Sequence, residues 1–294
     1  MTLEKHKMLF ENYALYNGVK IPKLGLGTWF IPDDRAAQAV CESVKIGYRH
    51  IDTAQAYENE RGVGEGIRTC GLPRQEIFVT TKLAAEIKTY EEAVKAIDSS
   101  LEKMGLEYID LMLIHSPQPW TKFREDVRSF DKGNREAWRA MEDAYKAGKL
   151  RAIGVSNFEK EDLENILVSC TVKPMVNQLL VHISNTPEEL IAYNQANDIL
   201  VEAYSPIGHG EVLKNSDIQA MAQKYGVSAA RLCIRYTLQL GLLPLPKTEN
   251  QFHMADNADV DFVISEEDME LLKNIETIKD YGAFGGFPVY GGKL

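Results

Sequence analysis

The chain has 294 residues, 45% of them apolar and 26% charged, with a net charge of −10. That is the composition of an ordinary soluble globular protein, and its acidic balance argues against a nucleic-acid binder, which needs a basic face to release counterions. No apolar run is long enough to span a bilayer, and the polar stretch Met1 to Asn12 lacks a signal-peptide core, so a cytoplasmic protein with no membrane partner is expected.

Residues 13 to 23 read as a hairpin. Tyr13-Ala14-Leu15 and Val19-Lys20-Ile21 flank Asn17-Gly18, a strong two-residue turn signal, and the hairpin is expected to cap the bottom of the repeating part of the chain. From Leu24 a strand–helix alternation begins. Leu24 to Gly27 is a short strand, followed by a helical stripe at Ala37, Val40, Cys41 and Val44 that Gly47 ends. The second strand, His50 to Asp52, precedes a stripe at Val63, Ile67 and Cys70 closed by Gly71. The third, Ile77 to Thr81, stops at Lys82 and leads to a helix with Ala93, Ile97, Leu101 and Met104, closed by Gly105. The fourth, Tyr108 to Ile114, stops at His115. A long polar loop, 115 to about 134, then precedes a helix carrying Trp138, Met141 and Tyr145.

The fifth strand is Ala152 to Val155, with a helix over about 159 to 169. The sixth is Met175 to Leu179, and its helix is expected to start with Thr186 as N-cap and Pro187 as first residue. The seventh, Ile199 to Ala203, is followed by a helix from about Asp217 and a second one capped by Ser228. The eighth is Leu242 to Leu245. Ser265 to Thr277 reads as one more helix, with Ser265 and Asp268 as a capping box. The stretch Tyr281 to Leu294 is rich in glycine and aromatics without periodicity, either a flap over a site or a frayed end.

Eight strands, each followed by helix, over about 220 residues fit a closed (β/α)8 TIM barrel. The expected layout is one domain: an N-terminal β-hairpin plug (1–23), the barrel (24–264), and a C-terminal helix and loop (265–294). The alternative, an open doubly wound sheet, would carry a G-x-G-x-x-G turn after its first strand to bind a dinucleotide. Gly62, Gly64 and Gly66 lie two apart inside a helical pattern and do not make one. The four cysteines form no C-x-x-C pair and are expected as buried free thiols.

Asp52, Lys82 and His115 close three successive strands, and Tyr57 lies on the loop after the first of these. In a parallel α/β protein this is the end where chemistry is usually placed. If the four converge, they complement one another. A free phenol has a pKa of roughly 10 and is a poor acid at neutral pH. An ammonium beside it favours phenolate and lowers that value, and a carboxylate holds the ammonium in place. Such a phenol suits a carbonyl that receives hydride, with His115 donating a hydrogen bond to the same oxygen. No metal is expected, since His50 is placed on the other face of its strand and His115 has no partner at ligand spacing. Taken singly, each residue reads as an ordinary buried polar group; four together at strand ends do not.

The second half supplies groups that fit a nucleotide. Ile153-Gly154-Val155-Ser156-Asn157-Phe158 ends the fifth strand in a hydroxyl and an amide, Asn177-Gln178 lies in the sixth, Val201-Glu202-Ala203-Tyr204-Ser205-Pro206-Ile207-Gly208 ends the seventh in an aromatic, and Pro244-Leu245-Pro246-Lys247-Thr248 ends the eighth in a cation. Amides can bond a carboxamide, an aromatic face can stack on a nicotinamide, and Lys247 with Thr248 suits a phosphate.

The order Asp52, Tyr57, Lys82, His115, with these later runs, resembles the aldo-keto reductase family over nearly the whole chain. The resemblance implies an NAD(P)H-dependent oxidoreductase that reduces aldehydes and ketones to alcohols, with Tyr57 as general acid and Asp52, Lys82 and His115 as its tetrad partners. It implies a cofactor lying extended across the barrel mouth. Ser156, Asn157 and Gln178 would hold the carboxamide, Tyr204 would stack on the ring, and Ser205, Pro206 and Gly208 would cover the pyrophosphate. Lys247, Thr248 and Asn257 would hold the adenosine end, and Thr28 and Trp29 would line the mouth with Asp52. Family members commonly have arginine where His253 stands, reading the 2′-phosphate of NADPH. Histidine lacks that fork, and Glu249 stands nearby, so NADPH is expected as cofactor with a weakened preference, NADH being accepted as well. After His115 many members have tryptophan; here the run is Ser116-Pro117-Gln118-Pro119-Trp120. Trp29, Phe30, Trp120 and the tail aromatics are expected to form the substrate wall, favouring apolar or flat carbonyls, and the working unit is expected to be a monomer. Two other readings stand beside this one: a cofactor-binding regulatory subunit of the same fold, and a barrel aldolase or isomerase with Lys82 as a Schiff-base lysine.

Overall fold

A computed structural model describes residues 6–125 and 127–292; the first five residues, residue 126 and the last two of the tail, 293–294, lie outside the described residues. The hairpin forms from β1 (Asn12–Ala14) and β2 (Lys20–Pro22), paired antiparallel with Tyr13 opposite Ile21. Its turn places Gly18 at φ +85, the left-handed conformation that favours glycine there.

The parallel strands are β3 (Leu26–Gly27), β4 (His50–Asp52), β5 (Phe78–Leu83), β6 (Ile109–Ile114), β7 (Leu150–Ser156), β8 (Val176–Leu180), β9 (Leu200–Tyr204) and β10 (Leu243–Leu245), hydrogen-bonded in chain order. The sheet closes on itself where Gly25 and Gly27 donate their N–H groups to the carbonyls of Pro244 and Pro246, at 3.2 and 3.1 Å. The helices are α1 (Asp33–Ile46), α2 (Glu60–Thr69), α3 (Tyr90–Met104), α4 (Asp131–Lys146), α5 (Lys160–Leu167), α6 (Glu188–Ala196), α7 (Ser216–Lys224), α8 (Ala229–Gln239), α9 (Gln251–Ala258) and α10 (Glu266–Lys273). The eight-stranded barrel with helices around it is the expected (β/α)8 architecture.

Leu15 and Ile21 of the hairpin pack against Phe78, Leu111, Leu113, Ala152, Val176 and Leu243 inside the barrel. Phe78, Val176 and Leu243 open their strands, so the hairpin plugs the bottom and leaves the C-terminal mouth for chemistry. The larger apolar cluster lies between barrel and helices, around Val40, Ile51, Val79, Ile97, Met112, Trp138 and Ile153.

The three closely spaced glycines have a packing cause. A Cβ on Gly66 would stand 2.7 Å from the Val40 Cβ, one on Gly62 would strike the Asp33 carbonyl, and one on Gly64 would strike the Met104 carbonyl. Helix α2 is thus pressed between α1 and the end of α3. Of the expected α1 stripe, Val40 and Val44 are buried, joined by Ala36, Ala39 and Ser43. Ala37 and Cys41 are half-buried and face α2, where the Cys41 thiol donates to the Gly66 carbonyl.

Several local expectations are corrected. Lys82 does not follow its strand but lies inside it, one residue before the end. Thr186 does not cap α6: its hydroxyl is 2.8 Å from the Tyr236 hydroxyl, and no side-chain cap is present. Only half of the capping box at α10 forms. Ser265 Oγ accepts from Asp268 N, but the Asp268 carboxylate is taken by Lys224 and the Tyr225 hydroxyl. Cys233 alone among the free thiols is fully buried; Cys41, Cys70 and Cys170 are half-buried.

Candidate active site

Side chains two apart on a strand share a face. On β4 that places His50 and Asp52 together on the inner face, on β5 Thr80 and Lys82, and on β9 Glu202 and Tyr204. Asp52 is the last residue of β4, and a short 3-10 turn, Gln55–Tyr57, then carries the phenol back over the mouth. Asn59 fixes that turn: its amide donates to the carbonyls of Thr28 and Ile31 at 3.0 and 2.9 Å and accepts from Thr53 Oγ1 at 2.6 Å.

Lys82 is the hub. Its Nζ donates to Asp52 Oδ1 at 2.6 Å, to the Thr53 carbonyl at 2.9 Å and to the Tyr57 hydroxyl at 3.3 Å. The His115 ring centroid is 5.6 Å from that of Tyr57, at 74°. The four sequence-identified residues therefore meet at one place. Burial works against the Lys82 ammonium, yet Asp52 and Tyr57 outweigh it and hold its pKa above the ordinary value. Burial, and then the Lys82 charge, drives His115 well below its ordinary value, so the imidazole is neutral at neutral pH.

Tyr57 differs from the expectation in sign. Burial raises the phenol above its ordinary value; Lys82 pulls it down, and Asp52 pushes it up again. The ammonium acts in the expected direction, but desolvation is the larger effect, so Tyr57 keeps its proton.

A cavity of about 530 Å³ opens above these groups. Its wall includes Thr28, Trp29, Asp52, Tyr57, His115, Trp120, Ser156, Asn157, Gln178, Tyr204, Ser205, Pro206, Lys247 and His253. Gly208, Thr248 and Asn257 are not on that wall. Gly208 N donates to the Ser205 carbonyl at 2.8 Å, Thr248 Oγ1 accepts from Asn250 N at 3.1 Å beside the start of α9, and Asn257 is buried within α9.

The amide wall is a connected set. Asn157 Nδ2 donates to the His115 carbonyl and to Ser156 Oγ, both at 3.1 Å, while its Oδ1 accepts from the Tyr204 hydroxyl at 2.8 Å. Ser156 Oγ donates to the Gln178 carbonyl at 2.9 Å. Gln178 Nε2 donates to Asp52 Oδ2 and Glu202 Oε2, and its Oε1 has no hydrogen bond among the described residues. Asn157 and Ser205 hold φ of +61 and +50, left-handed conformations of the kind that cluster at functional sites.

Sequence reasoning missed several groups. His50 does not face away from the site; it lies inside the barrel, with Nε2 2.9 Å from Thr80 Oγ1 and 3.9 Å from Glu202 Oε1. Glu202 was readable as an acid two residues before Tyr204 and so on the same inner face. Arg35 of α1 pairs with Glu249, in the segment after β10, at 3.2 Å, a contact between distant segments that no local pattern announces. The tail also docks by polar contacts. The Tyr290 hydroxyl lies 2.6 Å from His209 Nε2 and 2.8 Å from Ser205 Oγ, and the Tyr281 hydroxyl lies 2.9 Å from His182 Nε2. Its aromatics wall the mouth, with Phe287 5.0 Å and Phe284 5.9 Å from the Trp29 centroid. Trp120 stands edge-on to His115 at 5.0 Å. Among the described residues no cluster of metal-ligating side chains occurs, and no helix is long and apolar enough to cross a membrane.

A model of the Aldo/keto reductase family matches residues 23–277. The glyoxal reductase of Bacillus subtilis is 40% identical over 266 residues, covering 90% of this chain and 92% of its own. The 9,11-endoperoxide prostaglandin H2 reductase of Trypanosoma cruzi is 40% identical over 280 residues, 94% of each chain. Among solved structures, an aldo/keto reductase from Brucella melitensis superposes with a TM-score of 0.85 at 37% identity, covering 92% of this chain and 99% of its own. One from Bombyx mori, solved in complex with NADP, gives 0.83 at 33% identity over 95% and 98%. By extent of match and by architecture alike, the chain belongs to the aldo/keto reductase family of oxidoreductases.

Proposed function

We propose that the protein reduces aldehydes or ketones to alcohols with a reduced nicotinamide dinucleotide, using Tyr57 as the general acid. The observation that carries this is the Lys82 ammonium, sealed inside the barrel and bonded at once to Asp52 and to the Tyr57 hydroxyl. The cavity wall fits the cofactor. The unspent Gln178 oxygen is an acceptor for a carboxamide N–H, Tyr204 offers a ring face, and Lys247 with His253 lines the distal end. Ser156 and Asn157 support that wall through their own bonds, with Ser205 and Pro206 beside it. Thr248 accepts from Asn250 N at the start of the segment that carries His253, and Asn257 lies buried in the same helix.

When bound, the reduced nicotinamide supplies hydride to the carbonyl carbon. Tyr57 holds its proton until charge builds on the carbonyl oxygen and then delivers it there. Lys82 stabilises the phenolate left behind, and Asp52 holds Lys82 in place. His115, neutral, donates a ring N–H to the same oxygen and orients it. Trp29, Trp120, Phe284 and Phe287 exclude water and favour apolar or flat carbonyls. One chain provides every group named, so a monomer is the proposed working unit.

At the adenosine end His253 lacks the fork that reads a 2′-phosphate, and Glu249 is held there by Arg35. The proposed cofactor range is therefore NADPH with NADH accepted. A carbonyl panel followed by loss of reduced-nicotinamide absorbance, run with each cofactor, tests both points. A preference for NADPH above about a thousandfold, some 4 kcal/mol, refutes the second. Tyr57→Phe is expected to lose about two to four orders of magnitude in reduction while still binding cofactor; unchanged turnover removes Tyr57 as the acid. An aldolase reading is weakened by Asp52, which keeps Lys82 protonated and so not nucleophilic.

A further inference from the structure

Beneath the tetrad lies a second carboxyl group that the proposed reduction does not use. Glu202 stands in the middle of β9, fully sealed from solvent, opposite Gln178 on β8. Gln178 Nε2 donates to Glu202 Oε2 at 2.7 Å and to Asp52 Oδ2 at 2.9 Å. An amide nitrogen carries two hydrogens, so both are spent and its oxygen must point the other way.

The titratable groups around Glu202 are His50 and Asp52 from β4 and Lys82 from β5. His50 Nε2 is 3.9 Å away, beyond a hydrogen bond. Its pKa is lowered to about 3, first by burial and then by Lys82, so it carries no charge at neutral pH. The single ammonium, Lys82, is bonded to Asp52. Two carboxyl groups therefore share one cation; Asp52 borders the cavity, while Glu202 is sealed from solvent and its Oε1 has no partner among the described residues. A buried carboxylate without a counter-ion takes up a proton instead; burial, reinforced by Asp52, raises the Glu202 pKa to about 8.

We propose that Glu202 is a neutral positioning residue: its protonated carboxyl and the Asp52 carboxylate divide the two amide hydrogens of Gln178, which turns the Gln178 oxygen to the cavity and leaves Lys82 with one counter-ion. Ionisation of Glu202 brings a second negative charge near Lys82 and Tyr57 and makes the phenol a weaker acid. The effect on cofactor binding rests on the carbonyl-reductase proposal; the protonation state does not.

Two measurements test this. In infrared spectra of the cofactor-free protein, wild type at neutral pH is expected to show a protonated-carboxyl stretch that is absent in Glu202→Gln and that fades as pH passes about 8. No difference between the two spectra in the protonated-carboxyl region at neutral pH means an ionised Glu202 and overturns the proposal. In fluorescence titrations with reduced nicotinamide dinucleotide, Glu202→Leu, which frees the Gln178 amide to turn, is expected to weaken binding about tenfold, the worth of one hydrogen bond. Glu202→Gln, which keeps an uncharged acceptor, is expected to restore most of it. Equal affinity in wild type and Glu202→Leu overturns the positioning role. Should Glu202→Leu not fold, the Glu202→Gln spectrum still decides the protonation state, and Glu202→Gln binding weakened about tenfold or more overturns the neutral-acceptor role; wild type that binds no cofactor at all counts against the carbonyl-reductase proposal instead.

Discussion

Lys82→Met removes the hub while keeping the length of the side chain. At the 3.3 Å between Lys82 Nζ and the Tyr57 oxygen, full opposite charges attract by about 5 kcal/mol at an effective dielectric near 20. Lys82 is fully buried, so no reduction for solvent screening applies. With about half a charge on the phenol oxygen at the transition state, roughly 2.5 kcal/mol is lost, or about 70-fold in the hydride step. The same substitution strands the Asp52 carboxylate inside the barrel, which destabilises the fold by about 3–5 kcal/mol. The two effects separate in the double variant Asp52→Asn/Lys82→Met, which removes both charges: thermal stability is expected to recover and the rate is not. Single-turnover decay of reduced-nicotinamide absorbance, with enzyme in excess, reads the chemical step without product release. Rates within about threefold of wild type in Lys82→Met refute the claim that the ammonium stabilises the departing proton's phenolate.

His253→Arg restores a bidentate donor at the distal end and is expected to raise NADPH preference over NADH by about tenfold or more; an unchanged ratio of kcat/KM for the two cofactors refutes that placement. Stability is expected to fall on the acid side of neutrality. His50, His182 and His209 are lowered to about 3, 4 and 4, all mainly by burial, and His115 is lowered well below its ordinary value by the same cause. Between those values and about 6.5 the unfolded chain binds more protons than the fold, so stability falls as pH drops through that window. Above neutrality two groups oppose each other: Glu202, raised to about 8 mainly by burial, loses stability as pH rises toward that value, while Lys88, lowered to about 7 mainly by burial, gains it, so no net decline is expected there. Melting temperatures recorded from about pH 4.5 to 8.5 check this, and a profile that stays flat below about pH 6.5 refutes the buried neutral imidazoles. Truncation after Tyr281 removes Phe284, Phe287 and Tyr290; it is expected to shift KM among carbonyls of different bulk more than it slows single-turnover hydride transfer, and Gly285 to Gly292 are expected to gain protection from hydrogen exchange when substrate binds.

The strand–helix alternation was legible because each barrel strand is short, apolar and punctuated by glycine or a cap: Gly47, Gly71 and Gly105 each end a helix where the periodicity stops. The meeting of Asp52, Tyr57, Lys82 and His115 was legible for a related reason. A polar residue near the end of a buried strand has no other cheap place to stand: Asp52 ends β4, Lys82 stands one residue before the end of β5, and His115 follows β6. What stayed hidden depends on segments far apart in sequence. The Thr186 hydroxyl leaves its own helix for Tyr236, Asp268 leaves its capping box for Lys224 and Tyr225, and Arg35 reaches Glu249. In each case a tertiary partner outcompetes the local one. The phenol's net shift was hidden too, because the degree of burial that outweighs Lys82 is a property of the closed barrel and its aromatic mouth. His50 was misplaced by a parity error that the pairing of His50 with Phe78 and Asp52 with Thr80 resolves.

The glycines of α2 bear on how such a chain can diversify. Because Gly62 and Gly64 admit no side chain without striking backbone, and Gly66 none without striking Val40, the segment just after Tyr57 has almost no tolerance for drift. Under the proposed function, altered substrate preference is therefore expected on the rim, at Trp120 and the aromatic terminus, rather than on α2. The scaffold separates what must never change from what is free to vary, and it does so with three missing methyl groups.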